Sequence, residues 1–223
     1  MTVLFDDAYY TVAYKESGML SEGAQDCAKS MPHELMRALS LSTPLHPVHR
    51  LDREVSGALL FAKHAEAMAK ISDAAFLSQI EKIYIAVTHV PLSDHSGEMR
   101  DLLYHDRMKN KTYVVKKKRT GVREARLSYR LRCEAAQKQT SLFFYEVSPH
   151  TGRTHQIRVQ FAHRKSPLLG DARYGSKEKA PHIGLFCRAL TFTHPYTHAR
   201  IEVTAPLPPL FPFTLIEENA PID

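Results

Sequence analysis

His46-Pro47-Val48-His49-Arg50-Leu51-Asp52-Arg53-Glu54-Val55-Ser56-Gly57-Ala58-Leu59-Leu60-Phe61-Ala62 is the stretch on which the reading of this chain turns. Its second half, residues 57–62, is short and continuously apolar, the pattern of a strand covered on both faces. Its first half gathers His46, His49, Arg50, Asp52, Arg53 and Glu54. Charged residues that abut a core strand are exposed at its mouth or paired, and functional groups are commonly carried on such loops. By spacing alone, a polar loop leading into a strand is the simpler account. His46, His49 and Asp52 also have the spacing of metal ligands, but Pro47 and the lack of a matching cluster elsewhere weaken that alternative.

Outward from this stretch, residues 2–5 and 9–13 read as two strands around an Asp6-Asp7 turn. A helix over residues 26–39 is expected, with Pro32 as a break or first turn. Residues 64–76 have helical spacing, with Met68, Ile71, Ala75 and Phe76 on one side. Residues 82–88 alternate as a strand, Ile83, Ile85 and Val87 against Tyr84 and Ala86. Ala125, Leu127, Tyr129, Leu131 and Cys133 alternate with Arg126, Ser128, Arg130 and Arg132, a strand with one basic face. Further strands fit residues 141–147, 185–193 and 200–204, and Thr154 is a candidate cap for a helix through about 163. Strands outnumber helices without strict strand–helix alternation, which predicts an α+β fold: a mixed, largely antiparallel sheet with flanking helices. No linker divides the middle of the chain, so residues 1–223 are expected to form one domain.

Composition limits what this fold can serve. The chain has 223 residues, 43% hydrophobic and 24% charged, the balance of an ordinary globular protein. No apolar run approaches bilayer length and no export signal is evident, so a cytoplasmic protein without a membrane partner is expected. Cys27, Cys133 and Cys187 are odd in number and far apart, which argues against a disulfide framework or a zinc site. The net charge of +6 permits a polyanionic partner. Lys109, Lys111, Lys116, Lys117, Lys118, Arg119, Arg123 and Arg126 concentrate that charge, either on a solvated hairpin or along a phosphate backbone.

Two more clusters stand out. In Gly152-Arg153-Thr154-His155-Gln156-Ile157-Arg158, a helix start would place His155 and Arg158 on one side and Ile157 and Phe161 inward. An arginine near a helix start opposes the helix dipole and calls for a nearby carboxylate or phosphate. Leu168-Leu169-Gly170-Asp171-Ala172-Arg173-Tyr174-Gly175 reads as a tight turn whose glycines take unusual backbone angles.

Taken in order, His49-Arg50-Leu51-Asp52 with Ser56-Gly57, Lys82-x-Tyr84, residues 152–158, Gly170-Asp171 with Tyr174-Gly175, and Leu190-x-Phe192-x-His194-Pro195 resemble the RluA family of pseudouridine synthases. The resemblance runs from the strands before Lys15 to Pro208. It departs from the family pattern at Glu54-Val55, at Glu16 after Lys15, and at Thr88-His89. It implies the pseudouridine synthase fold with a central active-site cleft, and an enzyme that isomerises a uridine in transfer or ribosomal RNA. It implies the compact branch without the small N-terminal S4-like domain, acting as a monomer on structured RNA with no metal and no cofactor.

The resemblance also assigns roles. Asp52 is the essential carboxylate, attacking the sugar C1′ or the base; an ordinary aspartate is ionised at neutral pH, which suits a nucleophile. That ionisation makes it a poor base for the C5 proton, and Tyr84 stands at the position of the family's active-site tyrosine. Arg158 matches the active-site arginine, able to hold Asp52 by a bidentate pair. A target uridine must leave the RNA stack to be reached, and Arg50 is a candidate to fill the vacated space with His49 in support. Arg153, His155 and Gln156 are the remaining candidates for substrate contact, and Lys116, Lys117, Lys118 and Arg119 for the RNA backbone. The rival accounts are a non-catalytic RNA-binding or chaperone relative, and a metal-dependent hydrolase on His46, His49 and Asp52.

Overall fold

Burial explains why the apolar run after Asp52 is a strand. From Gly57 to Ala62 every residue is buried in the computed structural model, which describes residues 1–23, 30–137 and 140–216. The strands in chain order are β1 (Val3–Asp6), β2 (Tyr10–Lys15), β3 (His46–Pro47), β4 (Ser56–Ala62), β5 (Glu81–Thr88), β6 (Ser96–Asp106), β7 (Lys111–Val115), β8 (Val122–Gln137), β9 (Thr140–Pro149), β10 (Leu185–Thr193) and β11 (Arg200–Thr204). The helices are α1 (Met31–Ala38), α2 (Ala65–Ile71), α3 (Ala74–Leu77) and α4 (Gln156–His163). The chain divides into two compact units: Met1–Lys82 with Phe186–Pro206, and Ile83–Leu185 with the residues from Leu207 onward.

In the first unit β2 pairs antiparallel with β1 and with β4, setting Val12 opposite Leu60. β4 pairs parallel with β10, with Gly57 opposite Cys187, and β10 pairs antiparallel with β11. Gly57 is obligatory there. Its φ is +124°, and a β-carbon would stand 2.2 Å from the Cys187 carbonyl oxygen. The motif Ser56-Gly57 is therefore a packing device that lets two backbones approach just after the Asp52 loop. Tyr10, Phe61, Phe186 and Phe192 fill the core of this unit.

The second unit is an antiparallel run, β5 with β9, β9 with β8, β8 with β6 and β6 with β7. In β8 the predicted alternation holds at its start, with Ala125 and Leu127 buried and Arg126 exposed, and fades further on, where Leu131, Arg132 and Cys133 are all half-buried. A register shift interrupts its pairing with β9 between Leu131 and Cys133. The α+β class and the mixed, largely antiparallel pairing agree with the expectation from sequence.

Three local expectations need correction. The expected helix over 64–76 is two helices: His64 Nδ1 caps α2 by accepting from the Ala67 N–H at 3.2 Å, and Asp73 caps α3 by accepting from the Ala75 N–H at 2.8 Å. The short polar side chain of Asp73 offers the backbone a local partner and breaks the run. The helix expected from Thr154 begins at Gln156, and the capping position is His155, in a left-handed conformation at φ 53°. Thr154 does not cap; its carbonyl accepts from Thr112 Oγ1 at 2.8 Å. The strand expected over 82–88 is β5, with every residue from Tyr84 to Thr88 buried. For the expected 26–39 helix, Pro32 lies in the first turn of α1, while residues 26–29, Cys27 among them, fall outside the described residues.

Candidate active site

Asp52 is the first residue of a turn whose carbonyl accepts from the Val55 N–H at 3.0 Å. Every carbonyl from Leu51 to Val55 accepts a hydrogen bond. Ser21 Oγ accepts from the Leu51 N–H at 2.9 Å and donates to the Leu51 carbonyl at 2.7 Å. Ser17 Oγ donates to the Glu54 carbonyl at 2.8 Å, and the Gly18 N–H to the Arg53 carbonyl at 2.7 Å. Beneath the turn, Lys15 at the end of β2 is wholly buried and donates from Nζ to the carbonyls of Val55 (2.7 Å), Arg53 (3.0 Å) and Glu16 (3.2 Å). Burial of an ammonium pushes its pKa down to about 8, opposed by the charges of Asp52 and Glu54. A partly exposed carboxylate is thus mounted on a backbone with little freedom, as a site of fixed geometry requires.

His49 and Arg50 flank this turn differently. His49 Nε2 accepts from the Leu60 N–H at 3.3 Å, and burial, followed by the positive charge of Lys82, pushes its pKa down to about 3. It is a neutral brace of the loop on β4. Arg50 is exposed and reaches Glu22, with Nη1 2.8 Å from Oε1. His46 lies in β3 and is also exposed.

In the second unit, α4 buries Arg158 at 2% exposure. Its Nε and Nη2 donate to Asp171 Oδ2 (2.7 Å) and Oδ1 (3.0 Å), and Asp171 is 1% exposed. The anion that an arginine near a helix start calls for is therefore supplied by the turn after α4. The fork of the guanidinium, expected to orient Asp52, holds Asp171 on its Nε edge. Gly170 makes that turn possible, with φ at +73° and a β-carbon position 2.8 Å from the His182 carbonyl oxygen.

Around the same helix start, Gln156 accepts from Thr151 Oγ1 at 2.8 Å and the Arg153 N–H at 3.1 Å, and donates to the Arg126 carbonyl at 3.0 Å. It braces the 151–156 loop. Arg153 is exposed, with Nε donating to the Glu124 carbonyl at 3.0 Å. His155 is buried, its Nδ1 2.8 Å from the Tyr174 hydroxyl. Tyr84 lies on β5 opposite Val147 of β9, 8% exposed. Lys116, Lys117, Lys118 and Arg119 are all exposed in the loop joining β7 to β8, with the Arg119 guanidinium 5.0 Å from the centre of the Tyr104 ring.

Lys15, Asp171 as the partner of Arg158, and Tyr174 are the site residues that sequence reasoning did not assign. Lys15 carried a signal, a charge ending an otherwise apolar strand. Among the described residues no group of three or more His, Cys, Asp or Glu is arranged to hold a metal ion.

These features meet in comparison with known proteins. Residues 9–163 match the family described as RNA pseudouridylate synthase, and the chain belongs to that family. It is 32% identical over 214 residues to the ribosomal large subunit pseudouridine synthase C of Yersinia pestis, covering 92% of this chain and 65% of that protein. A Buchnera aphidicola protein of the same name is 30% identical over 219 residues, covering 94% of this chain and 68% of its own length. The fold is that of human RNA pseudouridylate synthase domain containing 4, with a TM-score of 0.74 at 20% identity over 93% of this chain and 89% of that one. Human RNA pseudouridylate synthase domain containing 1 gives a TM-score of 0.77 at 16% identity over 92% and 82%.

Proposed function

We propose that this chain is an RNA pseudouridine synthase that isomerises a uridine of large-subunit ribosomal RNA in the cytoplasm, with Asp52 as its nucleophile. The names of its relatives support the RNA, and family membership supports the reaction. One observation carries the assignment of Asp52: its carboxylate stands partly exposed on a turn fastened at Leu51, Arg53, Glu54 and Val55 by Ser21, Gly18, Ser17 and the buried Lys15 ammonium.

In the reaction the N1–C1′ bond breaks, the detached uracil turns, and a C5–C1′ bond forms. The C5 hydrogen leaves as a proton and N1 gains one, so the product is an isomer of the substrate. Asp52 attacks C1′ or the base, its bond to that carbon breaks again before the product leaves, and Tyr84 takes the C5 proton. Arg158, anchored by Asp171, supplies positive charge of fixed direction. The exposed cations Arg50 and Arg153 bind the RNA around the target, His155 contributes from the base of α4, and the loop holding Lys116, Lys117, Lys118 and Arg119 follows the phosphate backbone.

The test uses RNA from cells lacking the gene, labelled with uridine tritiated at C5. The wild type is expected to release tritium as C5 is glycosylated, whereas Asp52→Asn releases none and still retains the RNA on a filter. An Asp52→Asn variant as active as wild type would remove Asp52 from the chemistry. RNA retention without any release by the wild type would favour a non-catalytic RNA-binding relative.

A further inference from the structure

Tyr174, in the turn after Asp171, touches both candidate groups at the start of α4. Its hydroxyl lies 2.9 Å from the Thr112 N–H and 2.8 Å from His155 Nδ1. Its ring lies 5.3 Å from the carbon of the Arg158 guanidinium, whose Nε and Nη2 are held by Asp171.

Proton counting orders this cluster. A tyrosine hydroxyl has one proton and two acceptor lone pairs. The Thr112 N–H can only donate, so it occupies one lone pair of the hydroxyl; the Tyr174 proton and the second lone pair remain, and His155 Nδ1 at 2.8 Å meets one of the two. Thr112 Oγ1 does not compete for that nitrogen, because it donates to the Thr154 carbonyl at 2.8 Å and faces His105 Nδ1 at 3.1 Å. With Nδ1 accepting, neutral His155 carries its own proton on Nε2. The His155 backbone is left-handed, at φ 53° and ψ 26°, which a β-carbon disfavours. Strain of that kind persists only where the surroundings over-determine it, and here Tyr174 is part of those surroundings.

We infer that Tyr174 is a positioning residue for the reaction: its hydroxyl fixes His155 as an Nε2–H donor, and its ring fixes the plane of Arg158. The inference rests on the pseudouridine synthase reading and extends it to a residue that acts through His155 and Arg158. It also connects β7, through the Thr112 backbone, to the helix that carries Arg158.

Tyr174→Phe keeps the ring beside the guanidinium and deletes the hydroxyl alone. In the folded wild type, long-range proton–nitrogen correlations of the His155 ring should show an unprotonated Nδ1 and a protonated Nε2, and Tyr174→Phe should lose that fixed pattern. In the tritium-release assay its kcat should fall roughly 10–100-fold, the scale of a misplaced catalytic group, with KM changed less than about twofold. A purely structural role would lower the melting temperature and leave both readouts alone. Because the effect runs through His155, Tyr174→Phe should slow a His155→Gln enzyme no further.

A wild type with its proton on Nδ1, an undiminished kcat in Tyr174→Phe, or additive losses in the double variant would each overturn the inference. Absence of tritium release by the wild type would overturn the pseudouridine synthase reading, and the reaction role of Tyr174 with it. An active wild type beside an equally active Tyr174→Phe overturns the positioning role alone.

Discussion

Each unit of the molecule buries one cation beside a candidate catalytic residue or as one, and the two do so by opposite means. Lys15 is stabilised by three neutral carbonyl oxygens, so its charge stays under-compensated and its pKa is pushed down to about 8. Arg158 faces a carboxylate in bidentate geometry, with both partners almost fully buried. The difference follows from what each cation does. Lys15 gathers carbonyls whose own direction shapes the Asp52 turn, and a compact ammonium with three donors suits three separate acceptors. Arg158 must keep one plane, which a guanidinium gripped by a carboxylate provides and a lysine cannot.

The largest expected effect breaks the second arrangement. Asp171→Ala leaves a buried guanidinium without its carboxylate, and removal of one partner from a buried pair costs about 3–5 kcal/mol. Denaturant unfolding should show this as a lower midpoint. A shift of well under about 1 kcal/mol would mean that the pair is replaceable and that the contrast with Lys15 is false.

The next effect belongs to Lys15 and is a matter of pH. In the unfolded chain the ammonium keeps its proton to about pH 10.4, while in the folded protein it releases it near pH 8. Between those values the unfolded state binds more protons, so stability rises with pH, by roughly 3 kcal/mol in all. Below about pH 8 the full penalty of the buried charge is present. Lys15→Met should lack this rise, and the difference between the two pH–stability curves isolates it from other titrations. Parallel curves from about pH 8 to about pH 10.4 would show that Lys15 is better compensated than three carbonyls allow.

The contrast also marks what could be read from the sequence. Strands with an apolar pattern were legible, β4 and β10 above all, because burial alone decides them. The break between α2 and α3 was not, because apolar spacing continues through Asp73 while its side chain caps a new start. Asp52, Tyr84 and Arg158 could be named from the order of motifs. The need of Arg158 for an anion followed from the helix dipole, but its identity did not: Asp171 is thirteen residues on, across a turn whose path depends on Gly170. Lys15 was passed over because a lysine at a strand end is ordinarily solvated, and only the three-dimensional path of the Asp52 turn brings three carbonyls to it. Hydrogen-bond partners of this sort are set by tertiary folding and leave little trace in local pattern.

Against the two buried cations stand the exposed ones, and they give the smallest expected effect on the fold. From Arg107 to Arg123 the chain carries eight of its 30 Lys and Arg and none of its 24 Asp and Glu, so the net charge of +6 arises there and the rest is slightly acidic. A quadruple replacement of Lys116, Lys117, Lys118 and Arg119 by Ala should leave stability within about 0.5 kcal/mol, as surface changes do. If these side chains follow a phosphate backbone, the log–log dependence of RNA affinity on salt should flatten by about 0.7 for each single-strand phosphate that is no longer neutralised. The weakening should be uniform across RNA sequences, since phosphate contacts carry no base information. An unchanged slope would return the loop to the solvent, and charge alone would then not mark a site.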